Sequence, residues 1–110
     1  MAASAPTPET VTETLDALED RDVRALTEMM VVVDRDVGRF DVYSASGENR
    51  YHVEGAECDC PDAEYRAPDG RCKHVRRVEF RTGARPLPEG VVEDALDETL
   101  RSHLAAEGRL

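Results

Sequence analysis

The sequence predicts an α+β fold, with helices on either side of a small antiparallel pair of strands. Three patterns carry that expectation. Apolar residues recur at helical spacing near both ends of the chain, and two short runs in the middle alternate apolar with polar residues. Two close pairs of soft ligands, Cys58-Asp59-Cys60 and Cys72-Lys73-His74, follow the second run.

Residues 1–7 are small, polar and proline-containing, and are expected to be a disordered tail. Thr7 before Pro8 and Glu9 reads as a helix cap with proline at the first helical position and an acid in the positive first turn. Val11, Leu15 and Leu18 continue at helical spacing, and a second helical piece carries Val23 and Leu26. The β-branched run from Met29 to Val33 suits a buried strand, and Asp36 and Gly38 supply a turn. Phe40 and Val42 then alternate with Asp41 and Tyr43, and Tyr51 and Val53 with His52 and Glu54. These are two half-buried strands of a hairpin whose loop is residues 44–49, and they lead directly into Cys58. Residues 61–65 suit one helical turn and residues 72–81 a longer helix. Residues 83–88 form a proline-bearing linker, and Val91, Val92, Ala95, Leu96, Leu100 and Leu104 predict an amphipathic helix over 89–107. The implied divisions are a tail (1–7), a helical region with the first strand (8–37), a central unit (38–82), a linker (83–88) and a C-terminal helix (89–110).

At 110 residues, with no tryptophan and five aromatic side chains, the chain can build only a thin apolar core. Its net charge is −10, and 13 of its 14 basic residues are arginine, Lys73 being the one lysine. Such an acidic, lysine-poor composition resembles that of proteins from salt-loving archaea, in which acidic surfaces stay hydrated and self-repulsion is screened. No apolar run approaches the roughly 20 residues needed to cross a bilayer, and the N-terminus has no secretory pattern, so a cytoplasmic location is expected.

Cys58, Cys60, Cys72 and His74 read as one zinc site, because thiolate sulfur and imidazole nitrogen are the donors that zinc takes in a tetrahedron. In a strand, residues i and i+2 point the same way, which lets Cys58 and Cys60 face one metal. Eleven residues rich in turn formers, including Pro61, Pro68, Asp69 and Gly70, return the chain to Cys72. A disulfide would leave one of three cysteines over, and iron–sulfur ligation usually takes four. Four protein ligands close the coordination shell, so the expected cofactor is one structural Zn²⁺.

The order C-x-C…C-x-H, preceded by Tyr51-His52-Val53 and followed by Val75-Arg76-Arg77-Val78, resembles the SWIM-type zinc finger over roughly residues 38–81. The resemblance implies a short β-hairpin followed by a helix around one zinc, here with flanking N- and C-terminal helices. Members of that family occur in transposases, chromatin-remodelling ATPases, recombination accessory proteins and a signalling kinase. The resemblance thus implies a module that binds DNA or protein.

On a helical wheel Lys73, Arg76, Arg77 and Arg81 share an arc of about 140°, opposite His74, Val75 and Val78. Residues 66–85 carry seven positive and two negative side chains, +5 in a chain of −10. This basic face is expected to bind DNA or RNA, to balance the metal site, or to pair with carboxylates, the chain's own included. The alternative is a protein adaptor that docks through residues 89–107. His52 and His103 read as surface residues, and Asp59, Asp62 and Glu64 as solvated acids. There is no phosphate-binding glycine loop, H-E-x-x-H or nucleophile elbow, so no enzyme is expected.

Overall fold

The computed structural model describes residues 20–110. The expected tail over 1–7 and the helix through Val11, Leu15 and Leu18 lie outside the described residues. The described chain runs α1 (Asp20–Thr27), β1 (Met30–Asp36), β2 (Arg39–Ser44), β3 (Arg50–Glu54), β4 (Glu57–Cys58), α2 (Pro61–Tyr65), a 3₁₀ turn (Pro68–Gly70), α3 (Lys73–Thr82), a second 3₁₀ turn (Glu93–Ala95) and α4 (Glu98–Ala106). The fold is α+β, as the sequence predicts.

The four strands form one antiparallel meander in chain order. Phe40 pairs with Val53 and Val42 with Tyr51, so the alternation seen in the sequence places all four on one face. The first strand begins one residue later than predicted and runs three further, through Asp34, Arg35 and Asp36, because its charged end is exposed and needs no apolar partner. Gly38, at φ 73°, turns the chain into β2.

One apolar cluster joins Met30, Val42 and Val53 of the sheet to Val75 and Val78 of α3 and encloses Cys60 and Cys72. A second joins Ala25 and Leu26 of α1 to Phe80 of α3 and to Leu96, Leu100 and Leu104. Helix α3 therefore has packed neighbours on two sides. Its C-terminus closes at Gly83, φ 90°, whose amide returns to the Glu79 carbonyl, and the Arg109 guanidinium donates to the Phe80 and Arg81 carbonyls at 2.7 and 2.6 Å.

The predicted helix over 89–107 is shorter than expected. Leu96 and Asp97 are extended, with ψ 143° and 137°, and α4 starts only at Glu98. The cause is a tertiary anchor. The Asp97 amide donates to the Leu26 carbonyl at 2.8 Å, and its carboxylate accepts from Arg77. Leu96, Leu100 and Leu104 are buried in the chain's own core, whereas Val92 of the same apolar stripe is exposed.

Candidate metal centre

Each half of the site is placed by a local structure that its sequence dictates. Val53 of β3 pairs with Cys58 of β4, and the ladder is extended beyond it by two contacts between His52 and Asp59: the Asp59 amide to the His52 carbonyl, and the His52 amide to Asp59 Oδ1 at 2.8 Å. Cys60 then caps α2: its backbone is extended (φ −78°, ψ 154°), Pro61 occupies the first helical position, and its sulfur accepts from the Ala63 amide at 3.4 Å. Asp69 and Gly70, at φ 55° and 71°, reverse the chain. Cys72 stands at the N-cap of α3 and His74 in its first turn.

The donor atoms of Cys58, Cys60, Cys72 and His74 lie within 4.8 Å of one another. His74 Nδ1 is 3.8 Å from the Cys58 sulfur and 3.7 Å from that of Cys72. A tetrahedron with Zn–S of about 2.3 Å and Zn–N of about 2.0–2.1 Å separates its donors by roughly 3.5–3.8 Å, so the four residues fit a tetrahedral metal ion. The imidazole is stacked on Tyr51, with ring centroids 4.3 Å apart and planes at 26°. That contact fixes the ring's orientation and shields one face from water. The sequence marks Tyr51 as a strand residue, and only its pairing opposite the start of α3 reveals this role.

The thiols are not equivalent. Hydrogen bonding with Cys58 and with His74 pushes Cys72 down to about 4 against the effect of burial, making it a thiolate near neutrality. The same contact with Cys72, and then burial, push Cys58 up. Burial pushes Cys60 up. A metal entering this cluster therefore meets one thiolate and must displace protons from the other two sulfurs.

The four expected basic contacts are brought together on α3, but they do not form an outward face. Arg77 and Arg76 are buried, at 1% and 4% exposure. Arg77 donates to the Ala25, Glu28 and Met30 carbonyls, to Thr99 and to the Asp97 carboxylate. Arg76 meets Asp22 at 3.2 Å, Lys73 meets Glu28 at 2.6 Å and Arg81 meets Asp34 at 3.1 Å. The wheel separates these residues from Val75 and Val78, but Lys73 lines one cleft with the ligands Cys60 and His74. The wheel does not show that α1 and α4 cover the basic side.

Of the 14 basic residues, all but Arg50 and Arg66 form an ion pair among the described residues. The counterions Asp22, Glu28, Asp34 and Asp97 come from four separate stretches of sequence. The one advance signal was the excess of arginine over lysine, since the planar fork of arginine suits buried and multidentate pairing. His52 holds Asp41 at 3.0 Å, and His103 pairs with Glu107. Of the acids read as solvated, Asp59 accepts the His52 amide and Asp62 is held by Arg21 at 2.8 Å.

No protein-family model matches the chain, and no curated protein or solved structure matches it either. Among the described residues no helix is long and apolar enough to cross a membrane.

Proposed function

We propose that the chain is a zinc-stabilised, non-catalytic interaction module whose partner is a protein. The observation that carries this reading is the convergence of the four donor atoms of Cys58, Cys60, Cys72 and His74 to within 4.8 Å. Three sulfurs and one nitrogen favour zinc over the oxygen-seeking cations, and four protein ligands leave no position for a water or substrate. The ligand order on a strand, turn and helix supports the resemblance to SWIM-type fingers. In this reading the composition belongs to a high-salt cytoplasm.

A protein partner is preferred to DNA or RNA because Lys73, Arg76, Arg77 and Arg81 are already engaged by the chain's own carboxylates. Phosphate contacts would have to displace those carboxylates, and at molar salt, where the Debye length is about 3 Å, the electrostatic return is small. Two measurements test the proposal together. Elemental analysis of protein purified without added metal is expected to give one zinc per chain. Titration with single- and double-stranded nucleic acid at molar salt is expected to show no binding. Sub-stoichiometric zinc in folded protein removes the metal reading, and tight salt-resistant nucleic-acid binding restores the DNA or RNA one.

A further inference from the structure

A cleft of ≈ 320 Å³ opens beside the metal centre, between α1, the start of α2 and the first turn of α3. Its wall carries four cations, Arg21, Arg24, Arg66 and Lys73, against two carboxylates, Asp20 and Asp62, in a chain whose net charge is −10. Three of the cations are matched: Arg21 by Asp62 at 2.8 Å, Arg24 by Asp20 at 2.9 Å and Lys73 by Glu28 at 2.6 Å. The Arg66 guanidinium has no ion pair or hydrogen bond among the described residues. Arg66 acts on the Asp62 carboxylate that Arg21 already holds, so the cleft keeps one positive charge in excess.

His74 and Tyr51 line the same cleft. His74 is only 7% exposed, its Nδ1 faces the sulfurs, and its Nε2 has no hydrogen-bond partner among the described residues. A metal held through Nδ1 leaves the ring proton on Nε2, which can then only donate, and metal-bound histidines almost always donate that proton to a carboxylate, a carbonyl or water. Asp62 of the same cleft acts on His74 electrostatically, yet no described carboxylate is hydrogen-bonded to this nitrogen. The Tyr51 hydroxyl is also unpartnered among the described residues. Two unmatched donors and one cation in excess therefore line one polar cleft.

We propose that this cleft receives a carboxylate from an acidic segment of a protein partner, which accepts from His74 Nε2 and pairs with Arg66. The inference rests on the reading of Cys58, Cys60, Cys72 and His74 as metal ligands. One positive charge in excess balances the single charge of a carboxylate and not the roughly −1.5 to −2 of a phosphate. Because the acceptor joins the hydrogen-bond shell of a metal ligand, partner binding and metal retention are coupled, and each strengthens the other by the same factor.

The test uses the full-length zinc-loaded protein with nitrogen-labelled histidine and two probes, a glutamate-rich octapeptide and its glutamine counterpart, at molar salt. The glutamate peptide is expected to give a saturable shift of the His74 Nε2 resonance and to slow zinc loss to a chelator several-fold, whereas the glutamine peptide does neither. Arg66→Gln, at an exposed position, is expected to keep its zinc and to weaken the peptide about tenfold. Equal responses to both peptides, or an Arg66→Gln variant that binds like the parent, overturn the inference. So does a full shift with acetate or inorganic phosphate at the same concentration, which would mark a site for free anions. Protein that folds without zinc defeats the metal reading instead, and zinc-loaded protein with an unresponsive Nε2 defeats only this one.

Discussion

Replacing Arg77 with methionine, which keeps the length of the aliphatic stem and removes the guanidinium, is expected to cost this protein about 4–7 kcal/mol. The figure follows from what the guanidinium holds. It is buried with the Asp97 carboxylate, and removing one member of such a pair strands the other charge at about 3–5 kcal/mol. It also donates to the Ala25 and Glu28 carbonyls at 3.0 and 2.9 Å, which together add about 1–2 kcal/mol. The Met30 carbonyl keeps the Thr99 hydroxyl at 2.6 Å, although that single proton is shared with the Asp97 carboxylate. Small domains have about 5–15 kcal/mol in total, so the variant is marginal even with its metal. Urea denaturation of the zinc-saturated protein measures the loss. A second variant, Arg77→Met with Asp97→Leu, is expected to recover to within about 2 kcal/mol of the parent, since replacing both charges with apolar groups removes the stranded one. Arg77→Lys cannot bridge five acceptors with one ammonium and is expected to be intermediate. A loss below about 1 kcal/mol for Arg77→Met would return this arginine to the category of outward-facing surface charges.

Four further outcomes are expected. Cys72→Ser abolishes zinc binding and exposes amides within residues 50–75 to exchange, while protection persists around Leu26, Phe80 and Leu100, which pack without the metal; uniform protection would show that the site is dispensable for folding. Zinc binding at neutral pH releases about two protons rather than three, because Cys72 is already a thiolate, and calorimetry in buffers of different ionisation enthalpy counts them. Arg81→Gln changes stability by less than about 1 kcal/mol, since its partner Asp34 is 66% exposed, and a loss like that of Arg77 would show the pair is not a surface one. The Arg21 contact holds the Asp62 carboxyl below its ordinary value; at Asp97 burial raises the carboxyl, but Thr99 and Arg77 outweigh it. Depressed carboxyls stabilise the fold above their ordinary value near 4 and lose that contribution as pH falls through the lowered value, so an acid titration of helicity should show a loss that begins below about pH 4 and is reduced by Asp97→Asn.

The parts of this molecule legible in its sequence are those fixed by near neighbours. Phe40, Val42, Tyr51 and Val53 alternate because a half-covered sheet demands it, and the short loop between their strands makes them partners in a hairpin. Cys58, Cys60, Cys72 and His74 were legible because metal ligands must be a particular few residue types at short spacing. The stretch from Val91 to Leu104 misled for the complementary reason. Its apolar period is helical, but Asp97 is drawn into an extended conformation by Leu26 and Arg77, which are far away in the chain. A periodic pattern records which side chains are buried. It does not record where the backbone breaks to bury them.

The same distinction decides how the arginines are read. A helical wheel assigns Lys73, Arg76, Arg77 and Arg81 to the side away from the metal and says nothing of what lies there, so a basic stripe looks like a nucleic-acid surface until its counterions are found. They lie in α1 (Asp22), just after it (Glu28), in β1 (Asp34) and at the start of α4 (Asp97), and no pattern within α3 could reveal them. Substituting those carboxylates therefore separates the two readings better than substituting the arginines. Asp34→Asn, a change at an exposed position, releases Arg81 with little structural cost. If the basic residues of α3 serve phosphate, this variant should bind nucleic acid more tightly and with a steeper salt dependence than the parent; if they serve the fold, its affinity for nucleic acid at molar salt stays as low as the parent's.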